Sequence, residues 1–543
     1  MSARLLWVDD EIDLLKAHKI FLEKRGYTVV TATNGRDAID MCRAENFDLI
    51  LLDENMPGLS GLETLARIKD IQPDIPVVMV TKNEAEDLMD QAIGSQIADY
   101  LLKPVNPMQI LLTLKKNIHQ REIVQEVATT GYRQEFAQIS MQADDACDPE
   151  AWKELYRRIV RWELQLADTD DPALTDMLRM QKEEANKAYG KYIRKNYEDW
   201  MTATVPTATA AASTHTVATH GPVRGSSAAA SSAAPLLSPD IFKRCVFPKL
   251  SDGRHVVVIV LDNFRYDQWR VLAPELADDF DIDEDLYFSI LPTSTQYARN
   301  AIFAGLMPLQ IKKLYPDLWV EEEEDDGKNL NEEALIRHQL ERFRRRETFT
   351  YHKVNDAQAA DQLLSQIPAL RQHDLNVIVI NFIDILSHAR TESQMVRELA
   401  SNEAAYRSIT LSWFRHSGIR QLFQALREFD ADIIITTDHG SIRVDTPTKV
   451  IGDRNVNTNL RYKLGKNLDY PAKEVFEMKD PRRFQLPQPN LSTAYIFALG
   501  NHFFAYPNNY NYYVQYYRDT FQHGGISMEE MIIPLVTLHP KQR

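Results

Sequence analysis

Apolar and polar positions alternate in a repeating order along the first 120 residues. The apolar run 4–8 stops at Asp9, Asp10 and Glu11, the run 47–52 at Asp53, the run 75–80 at Thr81, and the run 98–102 at Lys103 and Pro104. Between them, 14–25 and 35–44 carry apolar residues at helical spacing. Short apolar runs bounded by turn residues read as strands, and their alternation with helices predicts a parallel, doubly wound α/β sheet over 1–120. From 121 to 201 the strand signal disappears. Trp152, Leu155, Ile159, Trp162 and Leu166, then Leu174, Met177 and Leu178, follow helical spacing, and Asp148-Pro149 and Asp171-Pro172 mark helix starts. A bundle of two to four helices results, with Trp152, Trp162, Tyr192 and Trp200 in its core. The stretch 202–238 opens as an almost unbroken series of Thr, Ala, Ser and Val, too poor in large apolar groups to order itself. It reads as a flexible low-complexity linker in which His215 and His220 are solvated. Strands return over 239–543: the run 255–261 ends on Asp262, the run 376–383 leads into Asp384, and Ile433, Ile434 and Ile435 lead to Asp438, His439 and Gly440.

Composition narrows the function. A chain of 543 residues exceeds what one core supports, and its 44% hydrophobic and 26% charged residues are ordinary for globular domains. The formal charge of −16 argues against duplex nucleic acid, a polyanion, as a direct partner. No helix-turn-helix pattern stands out, and the basic cluster 342–346, which follows the acidic run 321–326, reads as a solvated helix face. Three scattered cysteines, Cys42, Cys147 and Cys245, suit a reducing compartment and supply neither a disulfide framework nor a thiolate metal site. No apolar run approaches the ~18 residues of a membrane span, so the expectation is a soluble, cytoplasmic protein without membrane insertion.

The strand ends of the first segment collect carboxylates, a hydroxyl and a lysine. Clustered carboxylates repel one another and call for a hard divalent cation such as magnesium, beside which Asp53 could attack phosphorus as a carboxylate nucleophile. Strand-end acids can equally cap the helices that follow them. Val8, Asp9, Asp10 and Glu11, the run from Leu52 through Asp53, Asn55 and Pro57 to Gly58, then Thr81 and Lys103-Pro104, resemble the receiver domain of two-component response regulators. The resemblance implies that Asp53 accepts phosphate from a sensor histidine kinase and that Asp9, Asp10, Asp53 and the Asn55 carbonyl hold Mg2+. It further implies that Thr81, Tyr100 and Lys103 form the switch, and that the Lys103-Pro104 bond is cis.

In the last segment, Asp262, Thr295, Asp384, His388, Asp438, His439 and His523 all stand at strand ends, at a helix start or on a glycine-rich turn. Asp384 and His388, four apart, share one face if the segment is helical. Each residue alone reads as a cap or a core hydrogen-bonding group; together they sort into two sets. Asp384, His388 and His523 form one, and Asp262, Thr295, Asp438 and His439 the other. Two borderline metals with N and O ligands suit an in-line phosphoryl displacement. Leu261-Asp262, Thr293 and Thr295 with Gly305, Asp384 with His388, Thr437 through Gly440, and His523-Gly524-Gly525 resemble the alkaline phosphatase superfamily in its PglZ variant, an α/β fold with a central sheet. The whole arrangement resembles the PorX response regulators, which are associated with control of the type IX secretion system.

The resemblance implies two Zn2+ ions and Thr295 as nucleophile, with Thr293 the alternative in the same motif; Thr295 stands ten residues before Gly305, as in the phosphodiesterase branch. Where true alkaline phosphatases carry a magnesium-binding Glu, this chain has Val379, which favours a phosphodiester substrate, for example a short or cyclic oligonucleotide. Expected partners are the histidine kinase, a second copy in a phosphorylation-dependent homodimer, and a sigma factor or secretion-system protein. The competing expectation is a zinc-stabilised signalling scaffold acting by protein–protein interaction.

Overall fold

The computed structural model describes residues 3–72, 75–81, 97–167, 171–203, 234–321, 329–400, 402–452, 457 and 459–541. Most of the 202–238 linker, with His215 and His220, and most of the acidic run 321–326 lie outside these. The chain divides into two compact units, Met1–Arg133 and Gln134–Arg543.

The first unit is a five-stranded parallel sheet of β1 (Arg4–Val8), β2 (Thr28–Ala32), β3 (Leu49–Asp53), β4 (Val77–Thr81) and β5 (Asp99–Leu102), in the order β2-β1-β3-β4-β5. Every residue of β3 is buried, because this central strand is covered on both faces. Strand β2 escapes the sequence reading: two valines between threonines make too short an apolar run. The stretch 14–25 resolves into a 3-10 turn, Ile12–Leu15, and helix α1 (Lys16–Glu23). Helices α2 (Gly35–Ala44) and α3 (Gly61–Ile71) are capped by Asn34 and Ser60 side chains. Both Lys103-Pro104, as expected, and Leu291-Pro292 are cis.

Helix α4 (Pro107–Asp145) starts well before residue 121, with Ile110 and Leu114 in the core of the first unit. Helices α5 (Pro149–Ala167) and α6 (Pro172–Ala203) open at the two prolines, where Asp148 and Asp171 accept backbone N–H bonds from Ala151 (2.9 Å) and Ala173 (3.0 Å). Trp152, Trp162, Tyr192 and Trp200 are buried. These helices are not a free-standing bundle. They pack on strand β7 (Phe280–Phe288), where Trp200 meets Phe288 at 5.4 Å and Arg157 binds Asp285 at 2.8 Å.

The second unit is built on six strands, β6 (His255–Leu261), β7, β8 (Phe349–Val354), β9 (Leu375–Ile380), β10 (Ala431–Thr436) and β11 (Ile532–Pro540), in the order β7-β11-β10-β6-β9-β8. Strands β10, β6, β9 and β8 run parallel, and β11 runs antiparallel to β10 and β7. Strand β6 lies between β10 and β9 and runs parallel to both, so the carboxyl ends of these three strands open onto one edge of the sheet. The run 376–383 is not all strand: β9 stops at Ile380 and helix α8 (Phe382–Glu392) begins two residues later, with Asp384 in its first turn. Helix α7 (Thr295–Ala304) starts at Thr295 and ends on Gly305, whose φ of 57° is left-handed.

The basic cluster 342–346 is not a solvated helix face. The helix Glu332–Arg342 ends there, Arg342 bonds the Ala304 carbonyl, and Arg345 bonds the Phe247 carbonyl at 3.2 Å. Among the described residues no helix is long and apolar enough to cross a membrane.

Candidate functional site

At the carboxyl end of the first sheet, Asp9, Asp10 and Asp53 bring carboxylate oxygens within 4.8 Å of one another. Asp9 and Asp53 are buried and Asp10 is exposed. Lys103 closes the site, its Nζ 2.8 Å from Asp9 and 2.9 Å from Asp53. Burial pushes the Asp53 carboxyl up and Lys103 opposes it, so the acid sits between a desolvating core and one cation. Asn55 offers its backbone N–H to Asp53. Thr81 ends β4, and Tyr100 on β5, 47% exposed, pairs in register with Met79 on β4.

In the second unit this edge of the sheet assembles two groups of ligand atoms, each within 4.8 Å: Asp384, His388 and His523, and Asp262, Asp438 and His439. Strand β6 delivers Asp262, the loop after β10 delivers Asp438 and His439, helix α8 delivers Asp384 and His388 from one face, and a turn after the strand Thr520–Gln522 delivers His523. Asp384 lies 3.5 Å from His388 Nε2 and 3.8 Å from His523 Nε2. The groups adjoin, because the rings of His439 and His523 stack with centroids 4.2 Å apart.

The histidine nitrogens suit a metal. His523 Nδ1 lies 3.2 Å from the Thr293 carbonyl and His439 Nδ1 3.2 Å from the Gly440 carbonyl. Each pairing calls for the proton on Nδ1 and leaves the Nε2 lone pair towards the carboxylates. Burial, with His439 beside it, pushes His523 down to about 3, so the ring is neutral as a ligand must be. Burial and the neighbouring carboxylates Asp438 and Asp384 drive the Asp262 carboxyl well up against the pull of Arg299, a crowding that a cation would relieve.

The two threonines are in different situations. Thr295 Oγ1 lies 3.1 Å from His439 Nε2 and 3.4 Å from Asp262 Oδ1. The Thr293 hydroxyl is fully buried, donating to the Gly525 carbonyl (2.9 Å) and accepting from the Gly524 N–H (3.0 Å). Thr293 therefore holds the glycine turn in place, and Thr295 alone faces the ligand groups.

Four further residues, which the sequence reading missed, complete the surroundings. Asn263, at a φ of 61°, donates to Asp384 Oδ1 at 3.3 Å and offers its N–H to Asp438 at 3.5 Å, touching both groups. Arg299 is buried on α7; it pairs with Asp262 Oδ2, and its Nε donates to Asp438 Oδ2 at 3.0 Å. Glu332 (3.3 Å) and Asn381 (3.2 Å) accept from its Nη1. Arg299 was visible as the single charge in a helix of small, apolar and neutral polar residues; the other three carried no signal.

Residues 5–115 match the response regulator receiver domain, residues 122–201 the PorX response regulator linker domain, and residues 241–538 the BREX system PglZ alkaline phosphatase-like domain. The receiver region is 37% identical over 122 residues to the alginate biosynthesis transcriptional regulatory protein AlgB of Pseudomonas syringae pv. tomato, covering 22% of this chain and 27% of that protein. It is 31% identical over 125 residues to the alkaline phosphatase synthesis transcriptional regulatory protein PhoP of Bacillus subtilis, covering 23% of this chain and 51% of that one. The chain thus spans between about a quarter and a half of these relatives. Among solved structures it is similar to a CheY-like receiver domain protein from Methanospirillum hungatei, with 29% identity, a TM-score of 0.22, and coverage of 22% of this chain and 98% of that one.

Fold and site together define a response regulator receiver followed by an alkaline phosphatase-like domain, with divalent metal implied in both units. The chain belongs to the PglZ alkaline phosphatase-like family, in the three-part arrangement of a PorX-type regulator.

Proposed function

We propose that this protein is a two-zinc phosphodiesterase controlled by phosphorylation of Asp53, with a short or cyclic oligonucleotide as the preferred substrate class and a role in controlling type IX secretion. Asp384, His388 and His523 would hold one zinc ion, and Asp262, Asp438, His439 and the Thr295 oxygen the other. The observation that carries the reading is the convergence of Thr295 Oγ1 with His439 Nε2 and Asp262 Oδ1 at 3.1 and 3.4 Å, beside the stacked His439 and His523 rings. When bound, the zinc ions supply Lewis-acid stabilisation of the phosphoryl oxygens and lower the pKa of the attacking hydroxyl. Thr295 supplies the oxygen that bonds to phosphorus as the leaving alkoxide departs, and water then frees the phosphoryl group from Thr295. The N–H groups at the start of α7 face the anion, and Asn263 and Arg299 orient the carboxylates. Val379, buried and paired with Val260 in the middle of the sheet, offers no third-metal carboxylate, which supports a diester over a monoester. The three free thiols Cys42, Cys147 and Cys245 suit a cytoplasmic location.

Purified protein should carry two zinc ions per chain and hydrolyse bis-aryl phosphate faster than mono-aryl phosphate, with both activities lost on chelation. Faster monoester turnover rules out the diester assignment. In the receiver, Mg2+ would sit on Asp9, Asp10, Asp53 and the Asn55 carbonyl, with Thr81, Tyr100 and Lys103 responding to the phosphoryl group. Beryllofluoride should therefore double the mass measured by light scattering in wild type and not in Asp53→Ala. The same mass with and without the mimic removes phosphorylation-dependent dimerisation from the proposal.

A further inference from the structure

Two of the proposed metal ligands stand beside glycines, and one residue grips both turns. The Glu530 carbonyl accepts the Gly440 N–H at 3.1 Å, next to His439, while its side-chain Oε1 accepts the Gly525 N–H at 2.8 Å, two residues after His523. Its other oxygen accepts from Ser527 (2.8 Å) and Arg461 (2.6 Å), and both members of the Glu530–Arg461 pair are wholly buried. The turns carry no side chain because the backbone comes too close. A Cβ on Gly440 would lie 2.1 Å from the Glu529 carbonyl oxygen, and one on Gly525 would lie 2.8 Å from the Ala498 carbonyl oxygen. His439 and His523 belong to different ligand groups, so the place of Glu530 governs how far apart the groups stand.

The neighbouring residues are held from α6. Asn186, buried on that helix, accepts the Met528 N–H at 2.8 Å and donates to Glu529 at 3.0 Å. One turn earlier, Lys182 lies 3.1 Å from both Glu529 and Glu163. Glu163 continues to Arg407 at 2.9 Å and Arg407 to Asp267 at 3.0 Å, so the acidic group Glu163, Asp267 and Glu403 is filled by the protein's own cations and is a lock between helices, not a metal site.

We propose that Asn186 is a positioning residue of the hydrolase: through Met528, Glu529 and Glu530 it sets the spacing of the two metal-bearing turns. Helix α6 of the linker domain thereby governs metal binding in the domain that follows it. This rests on the two-metal reading above. The test is zinc affinity of the full chain, measured by competition with a chromophoric chelator, for wild type, Asn186→Ala and Lys153→Met. Lys153 anchors α5 to Asp285 at 3.3 Å and serves as the control for docking alone. Asn186→Ala should weaken at least one zinc site by about tenfold, the scale of losing a residue that orients metal ligands. It should also lower kcat with KM unchanged, in addition to the lower melting temperature of the metal-free protein that follows from leaving the Met528 N–H and the Glu529 carboxylate without their buried partner. Lys153→Met should bind zinc as wild type does. Should Asn186→Ala not fold, Lys182→Gln, which keeps a hydrogen bond to Glu529 and loses the charge, carries the same comparison. Unchanged zinc affinity in a wild type and variant that both bind two ions overturns the inference alone, as does equal weakening in Lys153→Met. A wild type that takes up no zinc overturns the proposed function and the inference with it.

Discussion

Thr295→Ala will abolish diester hydrolysis while leaving nearly two zinc ions per chain, with a fall in kcat of roughly 10³- to 10⁶-fold, the range seen when a nucleophile is removed. The substitution deletes one hydroxyl and one methyl at the first position of α7, where alanine is a better helix former than threonine, so the fold has no reason to suffer. What disappears is the oxygen 3.1 Å from His439 Nε2, while the ligand nitrogens and carboxylates stay. Thr295→Ser keeps that oxygen and should retain activity within about tenfold, well short of the nucleophile-loss range. Thr293→Ala should behave differently. Its hydroxyl bridges the Gly524 N–H and the Gly525 carbonyl, so its loss loosens the turn carrying His523 and lowers zinc content before it lowers the rate per bound ion. Assays of kcat per zinc on the three variants separate these outcomes. An active Thr295→Ala with full metal content would move the nucleophile to water or to Thr293.

That contrast shows what was legible in the chain before it folded. Asp53, Asp262 and Asp438 follow buried apolar runs, and a strand that ends on a polar residue places that residue at the sheet's carboxyl edge whatever the rest of the chain does. Asp384 and His388 were legible for a similar local reason, the helical spacing of four. Thr293 and Thr295 were both visible, but only contacts made across 231 residues to Gly524 separate the structural hydroxyl from the one that faces the ligand groups. Glu332 on Arg299, Glu530 on Arg461 and Asn186 on Glu529 are pairings 33, 69 and 343 residues apart. Buried polar groups must find partners, yet nothing in local pattern says which partners. The helices 149–203 were legible as helices for the same local reason, and their seat on β7 was not, because an apolar stripe specifies burial without naming the surface that buries it.

Arg299→Ala carries the largest expected loss of stability. The guanidinium is 1% exposed and faces Asp262, Asp438, Glu332 and Asn381, so truncation strands carboxylates in a buried site. Removing one partner of such a network costs about 3–5 kcal/mol, because the charges left behind have neither water nor a counterion. Burial opposes ionisation of Asp438, but Arg299, with His439, outweighs it and holds that carboxyl below its usual range. A depressed carboxylate stabilises the fold above its unfolded pKa of about 3.9 and loses that contribution as pH falls through the folded value. The deficit of Arg299→Ala should therefore be fullest near neutral pH and shrink in acid. Zinc bound to Asp262, Asp438 and His439 would offset part of the same charge, and a ligand that binds only the folded chain raises its stability. Thermal unfolding of wild type and variant with and without zinc tests this directly: zinc should raise the melting temperature of the variant by more than that of wild type. Equal increments would mean that Arg299 and the metal neutralise different carboxylates, and that Asp262 and Asp438 do not share a zinc ion.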